Sequence, residues 1–373
     1  MTSSGSRTTT VEAMGSEGGA APAMRIAHAF AVVLAGGRGE RFWPLSTGSQ
    51  PKAFLRLVGS ESLLQATVRR VRPYVPWAQI LVVANQAHAD LVREQLPELP
   101  GANLLLEPVG RDTGAAIGLA SLYLERLDRQ AVMAVLPADH YIPDGEAFAL
   151  VFERALELVE LRPSWVVTLG IAPTRPEIGY GYLEVGEALV VPPGAFHVRR
   201  FLEKPTLETA RSLLREGRHY WNSGIFLWRN STIQGLLSQC MPMEWNGLCR
   251  IREAWGDDTV LAKEFLAFRG LSIDYGVLER METAVGMIRA DLVWDDLGSW
   301  DALARVLPAE EHGNVVVGEG RCLDTSGSVI VSTGQRVAAV GVSDLIVVAT
   351  QDGVLVCSKG RSDELKRLVR ETR

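Results

Sequence analysis

Cysteine is scarce in this sequence and never paired in motif. The four cysteines among 373 residues are Cys240, Cys249, Cys322 and Cys357. None forms a C-x-x-C pair, and no histidine cluster stands beside them. That excludes a disulfide framework or a zinc finger and predicts free thiols in a reducing cytoplasm. Basic runs are also missing, and the formal net charge is −6, which argues against a dedicated nucleic-acid binder. No stretch of about 18 uninterrupted apolar residues occurs, so no membrane span is expected. Residues 1–25 lack the basic start and long apolar segment of a signal peptide, and read as a disordered leader.

What is present is a chain with 47% hydrophobic residues, enough for a sizeable core. Short apolar runs at Ala29–Ala35, Ile80–Ala84, Asn103–Leu106, Val132–Leu136 and Val166–Ile171 predict buried strands. Periodic stretches at Leu63–Val71, His88–Leu96, Thr113–Leu127 and Phe148–Leu161 predict helices between them. Such alternation implies an α/β fold with helices on both faces of a parallel sheet, and ligands at the carboxyl ends of its strands. After Gly313 the texture changes to short strands separated by turns, at Asn314–Val317, Ser328–Val331, Arg336–Val340, Leu345–Ala349 and Val354–Cys357. A charged helix from about Ser362 closes this β-rich part. No strict period is visible, so counting alone does not support a full repeat solenoid, although a β-helix-like form stays open. The expected division is 26–308 for the α/β domain and 309–373 for the β-rich one.

The stretch AVVLAGGRGERFWPLSTGSQPKAFL, residues 31–55, raises the functional question. Glycines let backbone N–H groups approach an anion closely. A Walker loop fails here because Gly39 is followed by Glu40. A dinucleotide fingerprint fails because Phe42 stands where the third glycine belongs. Arg38, Arg41 and Lys52 add three cations to Gly36, Gly37 and Gly39, which suits a triphosphate better than a single phosphate.

This loop resembles G-G-x-G-x-R-x-x-P-L…P-K, the signature of the sugar-nucleotide pyrophosphorylases, nucleotidyltransferases that join a sugar 1-phosphate to a nucleoside triphosphate. Further matches follow in order along nearly the whole chain: Glu107-Pro108 with Arg111-Asp112-Thr113, Pro137-Ala138-Asp139-His140, Gly179-Tyr180-Gly181-Tyr182, Phe201-Leu202-Glu203-Lys204-Pro205, Trp221-Asn222-Ser223-Gly224, Ser272-Ile273-Asp274-Tyr275, and Trp294-Asp295-Asp296-Leu297-Gly298-Ser299-Trp300. The set is most similar to the short bacterial form of the branch that couples mannose 1-phosphate with GTP, without the isomerase domain of the long form. The resemblance implies a Rossmann-like nucleotidyltransferase domain with a mixed, mostly parallel sheet, plus the small C-terminal β-rich domain. Three positions depart from the family pattern. Asp112 and Gly114 replace the usual Asn and Ala, and Thr47 stands where an arginine is usual. They leave another sugar 1-phosphate, such as a heptose, or another nucleotide open. A non-catalytic sugar-nucleotide-binding regulator is disfavoured, because the charged residues of the family are all present.

The implied reaction is attack of a sugar phosphate oxygen on the α-phosphorus of GTP, with loss of pyrophosphate. The nucleophile is already anionic, so positioning and charge neutralisation carry the catalysis. By resemblance, Asp139 and Asp296 bind Mg2+, with Asp295 the close rival of Asp296. Magnesium suits carboxylates and phosphate oxygens in an octahedral shell. By the same resemblance Lys204 grips the sugar phosphate, Glu203 accepts from sugar hydroxyls, and Asn222 and Gly181 lie against the sugar. Arg41 and Lys52 serve the triphosphate. Glu107 and Arg111 are the candidates for guanine, since a carboxylate can accept from the base N1–H and N2–H. His140 is expected to orient other groups. For Asp274, helix capping and sugar contact both stay open. A homodimer through an edge of the β-rich part is the expected assembly.

Overall fold

The computed structural model describes residues 27–37, 39–281 and 284–371. The expected leader and Arg38 lie outside the described residues. Nine strands form the main sheet: β1 (Ala29–Leu34), β2 (Ile80–Asn85), β3 (Leu104–Glu107), β4 (Val132–Pro137), β5 (Val166–Ile171), β6 (Tyr182–Ala188), β7 (Ala195–Leu202), β8 (His219–Arg229) and β9 (Val285–Ala290). Their order is β3-β2-β1-β4-β8-β5-β9-β7-β6. The expected parallel character holds for β1 to β4 and for the β5–β9 pair. The remaining pairings, β8 with β4, β5 and β6, and β7 with β6 and β9, are antiparallel. Parallel neighbours need a crossover of about a dozen residues or more. Only a short turn joins β6 to β7, so these two strands fold back on each other.

Successive side chains of a strand face opposite sides, and the sheet builds a core on each. Val33, Val82 and Leu136 pack with Leu64, Val68, Phe148 and Phe152. Val32, Leu81 and Val135 pack with Ile117, Leu122, Leu237 and Phe265. The helix Leu63–Val71 begins where expected because Ser62 and Gln65 close a reciprocal capping box. No helix among the described residues is long and apolar enough to cross a membrane.

Six further strands, β10 (Val315–Val317), β11 (Gly320–Leu323), β12 (Val329–Ser332), β13 (Val337–Val340), β14 (Leu345–Thr350) and β15 (Gly353–Ser358), form two small sheets. Their orders are β10-β12-β14-β15 and β11-β13. Val315 pairs with Val329 and Val329 with Ile346, both in parallel, so successive turns advance by 329 − 315 = 14 and then 346 − 329 = 17 residues. That unevenness hid the coil from a period count. Strand β11 was not legible, because Gly-Arg-Cys-Leu lacks β-branched residues. A third core joins this coil to the main body: Phe42, Leu55, Leu297 and Trp300 pack with Val315, Val329, Ile346 and Leu365.

Candidate active site

Strands β1 and β4 lie side by side, and the Ala138 N–H donates to the Leu34 carbonyl at 3.0 Å just past their ends. The turn carrying Asp139 follows. Two residues on, Tyr141 and Asp295 form an isolated antiparallel bridge, with N–H to carbonyl distances of 2.9 and 3.1 Å. This bridge brings two segments far apart in sequence into one site. Lys52 joins them from a third segment. Its Nζ donates to Asp139 Oδ2 at 2.7 Å and to the main-chain carbonyl of Asp296 at 2.6 Å.

The neighbouring aspartates do different things. Asp296 Oδ1 accepts from the Tyr180 hydroxyl at 2.7 Å and from the Gly298 N–H at 2.9 Å. Asp295 is buried and takes a bidentate contact from Arg305, at 2.7 and 2.9 Å. Burial pushes the Asp139 carboxyl up, but Lys52 and His140 outweigh it and hold it below its ordinary value. Burial lowers the His140 pKa despite Asp139. Its Nδ1 accepts from the Trp294 indole N–H at 3.3 Å, as a neutral ring can. Tyr180 is held protonated by burial and by Asp296. Sequence reasoning missed Tyr180; its phenol reads as a core residue until its hydroxyl is located.

A cavity of about 190 Å³ opens beside Asp296. Tyr180, Gly181, Glu203, Lys204, Asn222 and Asp274 line it. They meet because β6, β7 and β8 are neighbours: Tyr182 pairs with both Leu202 and Trp221, and the Asn222 N–H donates to the Gly181 carbonyl at 2.8 Å. Lys204 pairs with the buried Glu203 carboxylate and sits at φ +44°, an uncommon backbone for a lysine. Burial lowers the Lys204 pKa, but the bond it donates to Glu203 raises it further and leaves it above its usual value. Asn222 Nδ2 donates to Asp274 Oδ1 at 3.1 Å. Burial, then Glu203, raise the Asp274 pKa to about 7. Ser272 caps the short helix Ile273–Gly276, so Asp274 is left to face the cavity. A Cβ on Gly181 would stand 2.6 Å from Glu203 Oε2.

A second cavity, of about 440 Å³, shares Leu34, Thr113 and Pro137 with the first. Gly36, Gly37, Glu107, Asp112 and Asp139 line it. Glu107 Oε1 is buried without a hydrogen-bond partner. Burial, then Asp112, raise the Glu107 pKa to about 7. Gly39 sits at φ +62°, and a Cβ there would come 2.5 Å from Lys52 Cβ.

Two expected nucleotide groups are turned elsewhere. The Arg111 guanidinium donates to the carbonyls of Phe265 and Leu266 at 2.8 and 2.9 Å. These belong to the last turn of the helix Asp258–Ala267, where the Phe265 carbonyl also takes a long 3.3 Å contact from the Phe268 N–H. Arg111 therefore braces a helix end and does not line the cavity. Arg41 Nη1 donates to Asp363 Oδ1 at 3.2 Å, from the segment that closes the C-terminal coil.

Among the described residues no group of three or more His, Cys, Asp or Glu side chains could hold a metal. Asp139 and the Asp296 segment nevertheless converge on one cation, the Lys52 ammonium. Such a sparse donor set fits a magnesium ion that draws the rest of its oxygen shell from phosphates.

A family model described as Nucleotidyl transferase matches residues 30–312. The chain belongs to that family. A second model, described as MannoseP isomerase/GMP-like beta-helix domain, matches residues 315–372. A mannose-1-phosphate guanylyltransferase of Salmonella montevideo is 38% identical over 349 residues, 91% of this chain and 72% of that protein. The xanthan biosynthesis protein XanB of Xanthomonas campestris pv. campestris is 40% identical over 349 residues, with the same coverage of 91% and 72%. A crystal structure from Thermus thermophilus, named as a mannose-1-phosphate geranyltransferase, superposes with a TM-score of 0.83 at 37% identity, covering 92% of this chain and 99% of that one.

Proposed function

We propose that this nucleotidyltransferase transfers GMP from GTP to α-D-mannose 1-phosphate, giving GDP-mannose and pyrophosphate. The observation that carries the reading is the joining of two cavities at the strand ends. One has glycines and a buried carboxylate with one unpaired oxygen, the other an ammonium and hydroxyl-binding polar groups, and Lys52, Asp139 and Asp296 meet between them. The name of the Salmonella montevideo relative supports this substrate pair.

In this reading the triphosphate lies along the glycine loop toward Lys52, and Glu107 accepts from the guanine edge. Lys204 holds the sugar phosphate, while Glu203, Asn222 and Asp274 hold the sugar hydroxyls. Asp139 and Asp296 hold Mg2+, which supplies charge neutralisation at the α-phosphate. Tyr180 orients the Asp296 carboxylate through its hydroxyl. The polar groups act by bringing two anions together in line, and no side chain needs to remove a proton. The same reading includes two domains, 26–308 and 309–373, supported by the two family matches. It also includes a cytoplasmic setting and a homodimer, which sedimentation velocity tests.

The test of the substrates is a pyrophosphate-release matrix of four nucleoside triphosphates against mannose, glucose and heptose 1-phosphates, with and without Mg2+. GTP with mannose 1-phosphate should give the highest kcat/KM, and only with the metal. A faster pair elsewhere in the matrix overturns the assignment.

A further inference from the structure

The cation between the two aspartate segments in this structure belongs to the chain itself. Lys52 is 6% exposed, and its ammonium makes two short contacts there, to Asp139 Oδ2 and to the Asp296 carbonyl. Its Nζ lies 5.8 Å from the Phe42 ring centre, so one side of it is closed by an apolar wall. Asp296 is held from the other side by Tyr180 and Gly298. Lys52 is thus the group that ties the three segments together. It cannot keep Asp139 and also give its full charge to a phosphate.

We infer that Lys52 is an internal counter-ion that competes with the divalent ion for Asp139. It occupies the Asp139 carboxylate in the free enzyme, so that metal binds weakly there until a triphosphate draws the ammonium away. This rests on the reading of Asp139 and Asp296 as the metal residues. An ammonium and a divalent cation at one carboxylate repel each other, and a charge-assisted contact of this length must be broken before the oxygen can serve a metal. With few protein donors, the ion has little else to compensate the loss. Coupling of this kind is reciprocal: a triphosphate that attracts Lys52 strengthens metal binding, and the metal strengthens triphosphate binding by the same factor. The lysine therefore makes nucleotide and metal arrive together and keeps the empty enzyme from filling with metal alone.

The probe is Mn2+ titrated into the full chain without nucleotide, with free Mn2+ read by electron paramagnetic resonance. Lys52→Met and Lys52→Gln should bind Mn2+ about tenfold tighter than the wild type, equivalent to roughly 1.4 kcal/mol. Asp139→Asn in the Lys52→Gln background should abolish the gain. The glutamine variant keeps an amide donor for Asp139, and its thermal melt reports that it folds. In a second readout, the factor by which Mg2+ tightens GTP binding should fall in Lys52→Gln as its nucleotide-free Mn2+ affinity rises. A wild type that already binds Mn2+ at about micromolar levels without nucleotide overturns the inference, without recourse to any variant. So do Lys52 variants with unchanged Mn2+ affinity. In that case, if Asp139→Asn removes the Mg2+ dependence of GTP binding in the wild type, the metal residues stand and only the role of Lys52 falls. If Asp139→Asn leaves that dependence intact, the metal reading fails and the inference with it.

Discussion

At the scale of the residue, Asp295 and Asp296 are adjacent in sequence and opposite in surroundings. Asp295 faces Arg305 in a buried bidentate pair, while Asp296 faces Tyr180 and the cavity. Asp296→Asn should lower kcat/KM about a thousandfold, or roughly 4 kcal/mol, with an unchanged melting temperature. Asp295→Asn should keep most of its turnover and lose about 1–3 kcal/mol of stability, because one oxygen of the pair with Arg305 is gone. Steady-state pyrophosphate release and thermal melts separate the two. An inactive Asp295→Asn with an intact melt would reverse the assignment. The two lysines divide in the same way. Lys204→Met should raise the KM for the sugar phosphate, and Lys52→Ala the KM for GTP; equal damage to both constants in either variant would break the division of the cleft. The clustering of these residues, as distinct from their roles, was legible in the sequence. Asp139, Asp296, Lys52, Glu203, Lys204 and Asn222 all fall along one cleft. Only five lysines stand among 38 Lys and Arg residues, and two of the five are Lys52 and Lys204. That is a signal for compact ammonium groups where guanidinium is the chain's habit. Arg111 could not be judged from its motif, because its carbonyl partners lie 154 and 155 positions away.

At the scale of the element, the glycine loop and the short helix Ile273–Gly276 each carry a consequence. Gly39 occupies the left-handed region, and a Cβ would meet Lys52 at both its Cβ and its main-chain nitrogen, at 2.5 and 2.9 Å. Gly39→Ala must therefore push the Lys52 turn away from Asp139. GTP use should fall about tenfold or more, from roughly 1–2 kcal/mol of backbone strain plus the displaced ammonium; an alanine variant with wild-type GTP kinetics would show that the loop yields freely. On the helix, the Asp274 pKa is raised from 3.8 to about 7 by burial and Glu203. A raised carboxyl pKa favours the protonated form in the fold, so stability from this group is full below the unfolded value and is lost as pH rises through about 7. Asp274→Asn should melt higher than the wild type at about pH 8, and the gap should close toward about pH 4. A gap that is constant with pH would mean Asp274 is not the titrating group. Elements of the first half were readable because each apolar run closes one strand and each periodic stretch one helix. The pairings of β6 to β9 were not, since they depend on which strand β8 meets after long excursions.

At the scale of the molecule, the boundary expected at residue 308 separates sheets without separating cores. Phe42 and Trp300 lie 4.9 Å apart between ring centres, and the Trp300 indole donates to the Trp43 carbonyl at 3.0 Å. Both aromatic rings are buried in the cluster that also holds Val315, Val329, Ile346 and Leu365 of the coil. The end of the coil is pinned next to the same motif: the Gly360 N–H donates to Asp301 Oδ1 at 2.6 Å, the Ser362 hydroxyl donates to the other oxygen, and Asp363 meets Arg41. A turn-rich coil of short strands buries little by itself, and its apolar side chains help to cover Phe42 and Trp300 behind the glycine loop. The two parts should therefore unfold together. Differential scanning calorimetry should give one transition whose van't Hoff and calorimetric enthalpies agree. A chain ending at residue 313 should expose this cluster, aggregate, and lose GTP binding along with its cooperative melt. Two resolved transitions, or a truncated chain that still binds GTP with a sharp melt, would mean that the coil is an appendage and that the glycine loop holds its shape without it.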